Sequence, residues 1–246
     1  MTSGGNSLSI PATAKSYALS LEFTPAQVEF GETFVGNEAI TRTVTIKNTT
    51  PIGVTLTPNI NGPFSALIGS FTLGPNQSQQ VAIKYNPTES AALSTNFAFY
   101  ANNGGVASSA GVNVSGTAHK ITIDSEQIEF LRFIDGNEAA TEFKVKVTNE
   151  GNTTTTLSAL VAAKPNSPEG SPLPFDLTTP VNVGIDSFTL AASEYKEITV
   201  RFTSSVKGTF KCDLKLSTAN FASTKMIPAV GIATTYDEYL GLDCTP

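Results

Sequence analysis

The chain has 246 residues, 40% of them hydrophobic and only 15% charged, with a formal net charge of −6. That length suits two ordinary domains better than one large core, and the charged fraction lies well below the roughly 25% typical of globular domains. The 15 lysines and arginines are scattered singly, which excludes the clustered positive surface that nucleic acid or an anionic membrane would require; no stretch approaches the roughly 18 apolar residues of a membrane-spanning helix.

The N-terminal arm, residues 1–21, is rich in Ser, Gly and Ala. It has one lysine before residue 21 and no apolar run of the length a signal peptide needs. Its apolar side chains Leu8, Ile10, Tyr17 and Leu19 are expected to bind another protein chain or add to an exposed sheet edge. From residue 22 onward the hydrophobic period is two. Val44 and Ile46 alternate with Thr and Lys, then Val81, Ile83 and Tyr85 with Ala and Lys, and Phe97 and Phe99 follow the same rule. Such alternation marks strands with one face buried and one in water. Turn signals separate them: Gly36-Asn37, Asn48 to Pro51, Gly74-Pro75-Asn76, Asn86-Pro87 and Asn102 to Gly105. Short alternating strands between such turns predict a sandwich or a barrel.

The pattern then repeats with a period of about one hundred residues. QVEFGETFVGNEA (27–39) aligns without a gap on QIEFLRFIDGNEA (127–139), and TVTIKNTT (43–50) on KVKVTNEG (144–151). FTLGPNQSQQVAIKYNPT (71–88) aligns on FTLAASEYKEITVRFTSS (188–205), and VNVSGTA (112–118) on PAVGIA (228–233). Phe30 and Phe130 should therefore occupy equivalent buried positions, as should Ile83 and Val200. The second copy is longer between its second and third blocks. The extra residues fall in the Pro-rich segment 164–186, which reads as a surface loop and not an additional strand. The expected architecture is an arm (1–21), a first sandwich (22–118), a second sandwich (119–234) and an acidic tail (235–246). In the tail, residues 236–243 suit one turn of helix, and Tyr236, Tyr239 and Leu240 are candidate contacts for the second sandwich or for a neighbouring chain.

The order of these blocks resembles the abnormal-spindle/hydin-type immunoglobulin-like domains, relatives of the major sperm protein and pilus-chaperone sandwiches that also occur in bacterial "choice-of-anchor" proteins. In the first copy the resemblance covers residues 23–118 and includes Leu73-Gly74-Pro75 and Tyr85-Asn86-Pro87. The second copy departs from it at Ala191-Ala192 and Thr203-Ser204. The resemblance implies an all-β fold, two tandem immunoglobulin-like antiparallel β-sandwiches of about seven strands each, with a binding or scaffolding role and no catalytic motif.

The residues themselves point away from chemistry. His119 is the only histidine and stands at the junction between the copies, where a linker role is expected in preference to a nucleophile pairing. No EF-hand loop, phosphate-binding loop or nucleophile elbow is present, and Cys212 and Cys244 lack zinc-like spacing. No catalytic residue, metal or cofactor is therefore expected. The two cysteines are read as free thiols, with a single Cys212–Cys244 bridge as the alternative; Cys212 shares parity with Phe210 and Leu214 and should face the second core. Asn48, Asn76, Asn113 and Asn152 fit the N-x-[ST] glycosylation pattern, which has meaning only in a secreted chain. The expected function is a non-enzymatic structural or interaction protein whose partners are other protein chains, itself included. The favoured setting is the virion of a tailed phage, as a capsid decoration, neck or tail component. A bacterial cell-surface or periplasmic binding module is the main alternative, and a cytoplasmic or ciliary scaffold the third.

Overall fold

The computed structural model describes residues 15, 17–59, 62–103, 106–136, 140–164, 175–177, 186–218 and 223–240. The first nine strands are β1 (Leu21–Thr24), β2 (Gln27–Phe34), β3 (Ile40–Asn48), β4 (Val54–Pro58), β5 (Phe64–Ala66), β6 (Phe71–Leu73), β7 (Ser78–Tyr85), β8 (Ala91–Asn103) and β9 (Val106–His119). They form a four-stranded sheet in the order β1-β3-β7-β5 and a five-stranded sheet in the order β2-β9-β8-β4-β6. The next nine are β10 (Ile121–Ile123), β11 (Ile128–Phe133), β12 (Thr141–Asn149), β13 (Thr155–Ala163), β14 (Phe175–Leu177), β15 (Asp186–Leu190), β16 (Tyr195–Phe202), β17 (Gly208–Thr218) and β18 (Thr224–Thr234), followed by the one-turn helix α1 (Tyr236–Leu240). Their sheets run β10-β12-β16-β14 and β11-β18-β17-β13-β15. Strand for strand, the second set reproduces the first. The fold is thus all-β, two tandem sandwiches.

The alternation read from the sequence is the inner face of these sheets. Val44, Ile46, Val81, Ile83, Phe97 and Phe99 are buried in one cluster, and Val145, Val147, Ile198, Val200, Leu214 and Leu216 in the other. The paired positions correspond in register. Ile83 lies opposite Arg42 and Ala66, and Val200 lies opposite Phe143 and Leu177. Phe30 packs on Phe64 and Tyr85 as Phe130 packs on Phe175 and Phe202. Cys212 is a free, buried thiol, as its parity required, and burial pushes it up to about 12. Cys244 lies outside the described residues.

Three features differ from the expectation. Each sandwich has four strands in one sheet and five in the other, more than the family resemblance implies. The sheets are not wholly antiparallel: β2 runs parallel to β9, and β11 parallel to β18. After β1 the chain crosses to the opposite sheet and lies along the last strand of the domain, so the whole domain serves as the long crossover that a parallel pair needs. Finally, the segment 164–186 is not loop throughout. Phe175–Leu177 pairs with β16 as β14, the counterpart of β5 on β7. Three residues are too few to show a period of two, so both strands escape a pattern search.

The gap-free alignment of the first block also fails after Phe30. Glu29 faces Ser115 but Glu32 faces Thr117, so β2 carries one extra residue in a bulge at Gly31, whose φ is +75°. That conformation suits glycine. Past the bulge Phe34 faces His119, and the equivalent pair in the second copy is Phe133 and Thr234. Phe34 therefore matches Phe133, and not Ile134.

Candidate functional site: the joint and the two free ends

One residue, Lys120, separates β9 from β10, so the end of the first sandwich must lie against the start of the second. Phe34, the last residue of β2, is 1% exposed and belongs to the core of the second sandwich. Its backbone N–H donates to Ser223 Oγ at 3.1 Å, and Asn37 Nδ2 donates to the same hydroxyl at 2.7 Å. The Lys225 ammonium stands 5.8 Å from the Phe34 ring centroid, and burial pulls Lys225 down against the opposing pull of Glu150. On another side of the joint Ser90 faces Thr153 at 3.3 Å. A Cβ on Gly151 would lie 2.3 Å from Ser90 Oγ, so that glycine permits the close approach.

His119 sits at the centre of the joint. It is 4% exposed. Its Nδ1 is 2.8 Å from Thr155 Oγ1 in the second sandwich. Its Nε2 lies 3.7 Å from Glu32 Oε2, too long for a hydrogen bond, and has no hydrogen-bond partner. Burial lowers the histidine below its usual range, and the Glu32 carboxylate works in the opposite direction. The imidazole is an interface group, closed to a substrate. Beside the joint runs an open groove of about 570 Å³ lined by Asn37, Ile123, Thr224 and Met226 among others.

The sequence-predicted contact residues fall at the two far ends. Leu8 and Ile10 lie outside the described residues. Tyr17 is 47% exposed, whereas Leu19 packs against the first core, and the Ser20 carbonyl accepts the Thr49 N–H at 3.0 Å. At the opposite end α1 lies on the second sandwich. Tyr236 stacks on Phe133 with ring centroids 3.9 Å apart and planes 8° from parallel, and Tyr239 meets the same ring edge-on at 5.4 Å. The Tyr236 N–H donates to Asp135 Oδ2 at 2.9 Å. Glu238 pairs with Lys207, which holds its carboxyl below the usual range, and it accepts from Thr234 Oγ1 at 3.2 Å. Tyr239 and Leu240 remain 59% and 60% exposed. Among the described residues no group of three or more His, Cys, Asp or Glu is arranged to hold a metal ion.

Pattern reading missed a pair of buried asparagines, Asn48 and Asn149, which close one turn in each sandwich. Asn48 Nδ2 lies 2.8 Å from Ile52 O, 3.0 Å from Leu73 O and 3.1 Å from Gly74 O. Its Oδ1 accepts from Thr50 N. Asn149 repeats the set with Thr153 O, Leu190 O and Ala191 O, and its Oδ1 accepts from Gly151 N. With both amide groups committed inside the protein, the glycosylation pattern at Asn48 is a structural motif.

Residues 20–117 match the family model described as HYDIN/CFA65/VesB-like, Ig-like domain, which bears out the resemblance for the first sandwich. No curated protein matches the chain. Among solved structures, a protein of unknown function from Porphyromonas gingivalis W83 is similar at 9% identity, covering 86% of this chain and 99% of its own, with a TM-score of 0.37. The ASH/PapD-like domain 7 of human CEP192 is similar at 14% identity over 47% of this chain and 85% of its own, with a TM-score of 0.34. The E. coli chaperone DraB is similar at 14% identity over 86% and 98%, with a TM-score of 0.33.

Proposed function

We propose that the chain is a non-catalytic interaction module, a rigid structural part of a larger protein assembly. The observation that carries this reading is the joint, where Phe34 of one sandwich is part of the other's core. Domains that need only be tethered are joined through exposed, flexible linkers with few contacts across them. Here a one-residue connection is sealed by a buried aromatic ring and by hydrogen bonds across the seam. Such a seam fixes the spacing and direction of two binding surfaces, which is what a connector or decoration protein requires. The chemistry-bearing side chains support the non-catalytic reading: His119 is enclosed in the joint, and the Cys212 thiol is buried and held protonated.

The setting we favour is a bacterial surface or periplasmic binding module; the virion of a tailed phage is the second setting in which a rigid pair of sandwiches would serve. Reconstitution tests the shared claim. Phe34→Ser combined with a Gly-Ser insertion after Lys120 uncouples the sandwiches, and incorporation into the host assembly should then be lost while both sandwiches still melt cooperatively. Normal incorporation of the uncoupled protein would overturn the reading. Immunodetection in purified particles against envelope fractions separates the two settings.

A further inference from the structure

Glu32 and His119 stand on the outer face of the first sandwich's five-stranded sheet, where that sheet runs into the joint. Strand parity places Ser115, Thr117 and His119 in one outward row on β9. Glu29 and Glu32 are three residues apart, a spacing that in a regular strand points side chains to opposite faces. The bulge at Gly31 shifts the register between them, so Glu29 pairs with Ser115 and Glu32 with Thr117, both outward. The result is an acidic open groove of about 410 Å³ lined by Glu29, Glu32, Ser94, Ser115 and Thr117 among others, with His119 at its joint end. The fold itself requires neither Glu32 nor His119: their ladder equivalents in the second sandwich are Leu131 and Thr234. Glu29, by contrast, recurs as Glu129, and each accepts a hydrogen bond from the glutamine two residues before it.

The imidazole is oriented from its far side. The Thr155 hydroxyl lies 2.8 Å from Nδ1 and 3.4 Å from Thr153 O. The carbonyl can only accept, so the hydroxyl donates to it and accepts from Nδ1–H. That tautomer turns a bare Nε2 lone pair toward Glu32, on a buried side chain and with no hydrogen bond at that atom. A metal-binding histidine is held in the same way, by a hydrogen bond from its other ring nitrogen. Nε2 and Glu32 Oε2 are 3.7 Å apart, too far to share a proton in a hydrogen bond. An ion between them fits: zinc bonds of about 2.05 Å to imidazole and about 2.1 Å to carboxylate span that 3.7 Å at an angle of about 125°.

We infer that His119 Nε2 and the Glu32 carboxylate hold a divalent transition-metal ion of the zinc class, which clasps β2 to β9 at the joint. An imidazole ligand selects such an ion over magnesium or calcium, which take oxygen ligands. With two protein ligands, water from the groove completes the coordination. The Glu32 side chain is 34% exposed, and rotation of its carboxylate opens the way in from the groove. The ion adds to a joint that Phe34 already seals, so the rigid-module reading does not depend on it.

Titration of the full-length, untagged chain with zinc chloride tests this, in a Cys244→Ser background that removes a competing thiol. His119 is the only histidine, so its ¹⁵N ring resonances report the site without ambiguity. Before zinc they should show the Nδ1–H tautomer, and zinc should then shift Nε2 with the stoichiometry of a single ion by calorimetry. Glu32→Gln keeps His119 and the joint in place and should weaken binding at least about tenfold, as loss of even an outer-shell partner does. Glu29→Gln, in the same groove, should change it little. An Nε2–H pattern before zinc overturns the inference, as does an Nε2 resonance that zinc leaves in place. Equal losses from Glu29→Gln and Glu32→Gln also overturn it, since they would mark general attraction to an acidic groove. Each of these results leaves the joint itself, and the reading built on Phe34, untouched.

Discussion

Phe34 and Phe133 occupy the same place in two copies of one domain, yet one is a core residue and the other a surface residue with a lid. Phe34 is 1% exposed because a whole sandwich closes over it. Phe133 keeps partial exposure under a five-residue helix whose own tyrosines are half in water. Burial of an apolar ring is set by what the chain does next: after His119 it enters another sandwich, and after Thr234 it makes one helical turn. The same strand end is a structural joint in one copy and a helix-covered surface in the other.

The largest expected effect breaks that contrast directly. Phe34→Ala should destabilise the second sandwich by about 3–5 kcal/mol, the usual cost of deleting a buried phenylalanine, although the residue lies in the first. Phe133→Ala should cost about 1 kcal/mol, since a partly exposed side chain gives up less. Chemical denaturation of the two variants side by side checks the ranking; equal losses would mean that α1 protects Phe133 as well as a domain does.

The asparagine turns should behave alike, because they are alike. Asn48→Ala and Asn149→Ala each leave buried carbonyls and one N–H without partners, for an expected loss of about 3 kcal/mol. Thermal melts of both variants report this, and a loss in only one would show that the turns are not equivalent.

The joint should also respond to acid. His119 is held below its usual range by burial, so the unfolded chain takes up a proton first as pH falls. The stability it contributes is full above the ordinary histidine range near pH 6.5 and is lost as pH falls toward the lowered native value. Glu32 is the carboxylate that opposes this. Denaturation of wild type and His119→Gln between pH 7.5 and pH 5.5 should show a steeper loss in wild type.

The smallest effect contrasts the cores. Tyr85 is fully buried and its hydroxyl has no hydrogen-bond partner, while burial pushes its ionisation up to about 12. The second copy has Phe202 at this place, and each ring sits under a glycine, Gly116 or Gly231, whose Cβ would strike it. Tyr85→Phe should be neutral or stabilising by about 1 kcal/mol. Clear destabilisation would mean that the hydroxyl is satisfied.

Much of this was legible in the residues. The alternation at Val44, Val81 and Phe97 and their repeats located the inner faces, because strand geometry is written with a period of two. The joint was only half legible. His119 stands out in the sequence as a junction residue, but nothing there singles out Phe34. The bulge at Gly31 changes its register, and only pairing against β9 reveals that. The asparagine turns left a signal in the sequence, since Asn48 and Asn149 align, but a buried side-chain clamp and a glycosylation pattern share the same letters. The contact residues at the ends were partly visible as an apolar arm and an aromatic tail.

Because Phe34 is shared between their cores, the two sandwiches should move as one body. Backbone ¹⁵N relaxation measures it most directly. One rotational diffusion tensor should fit the amides of β1 to β18 together in the wild-type chain and separate into two in the uncoupled variant. Two independent tensors in the wild-type protein would contradict it.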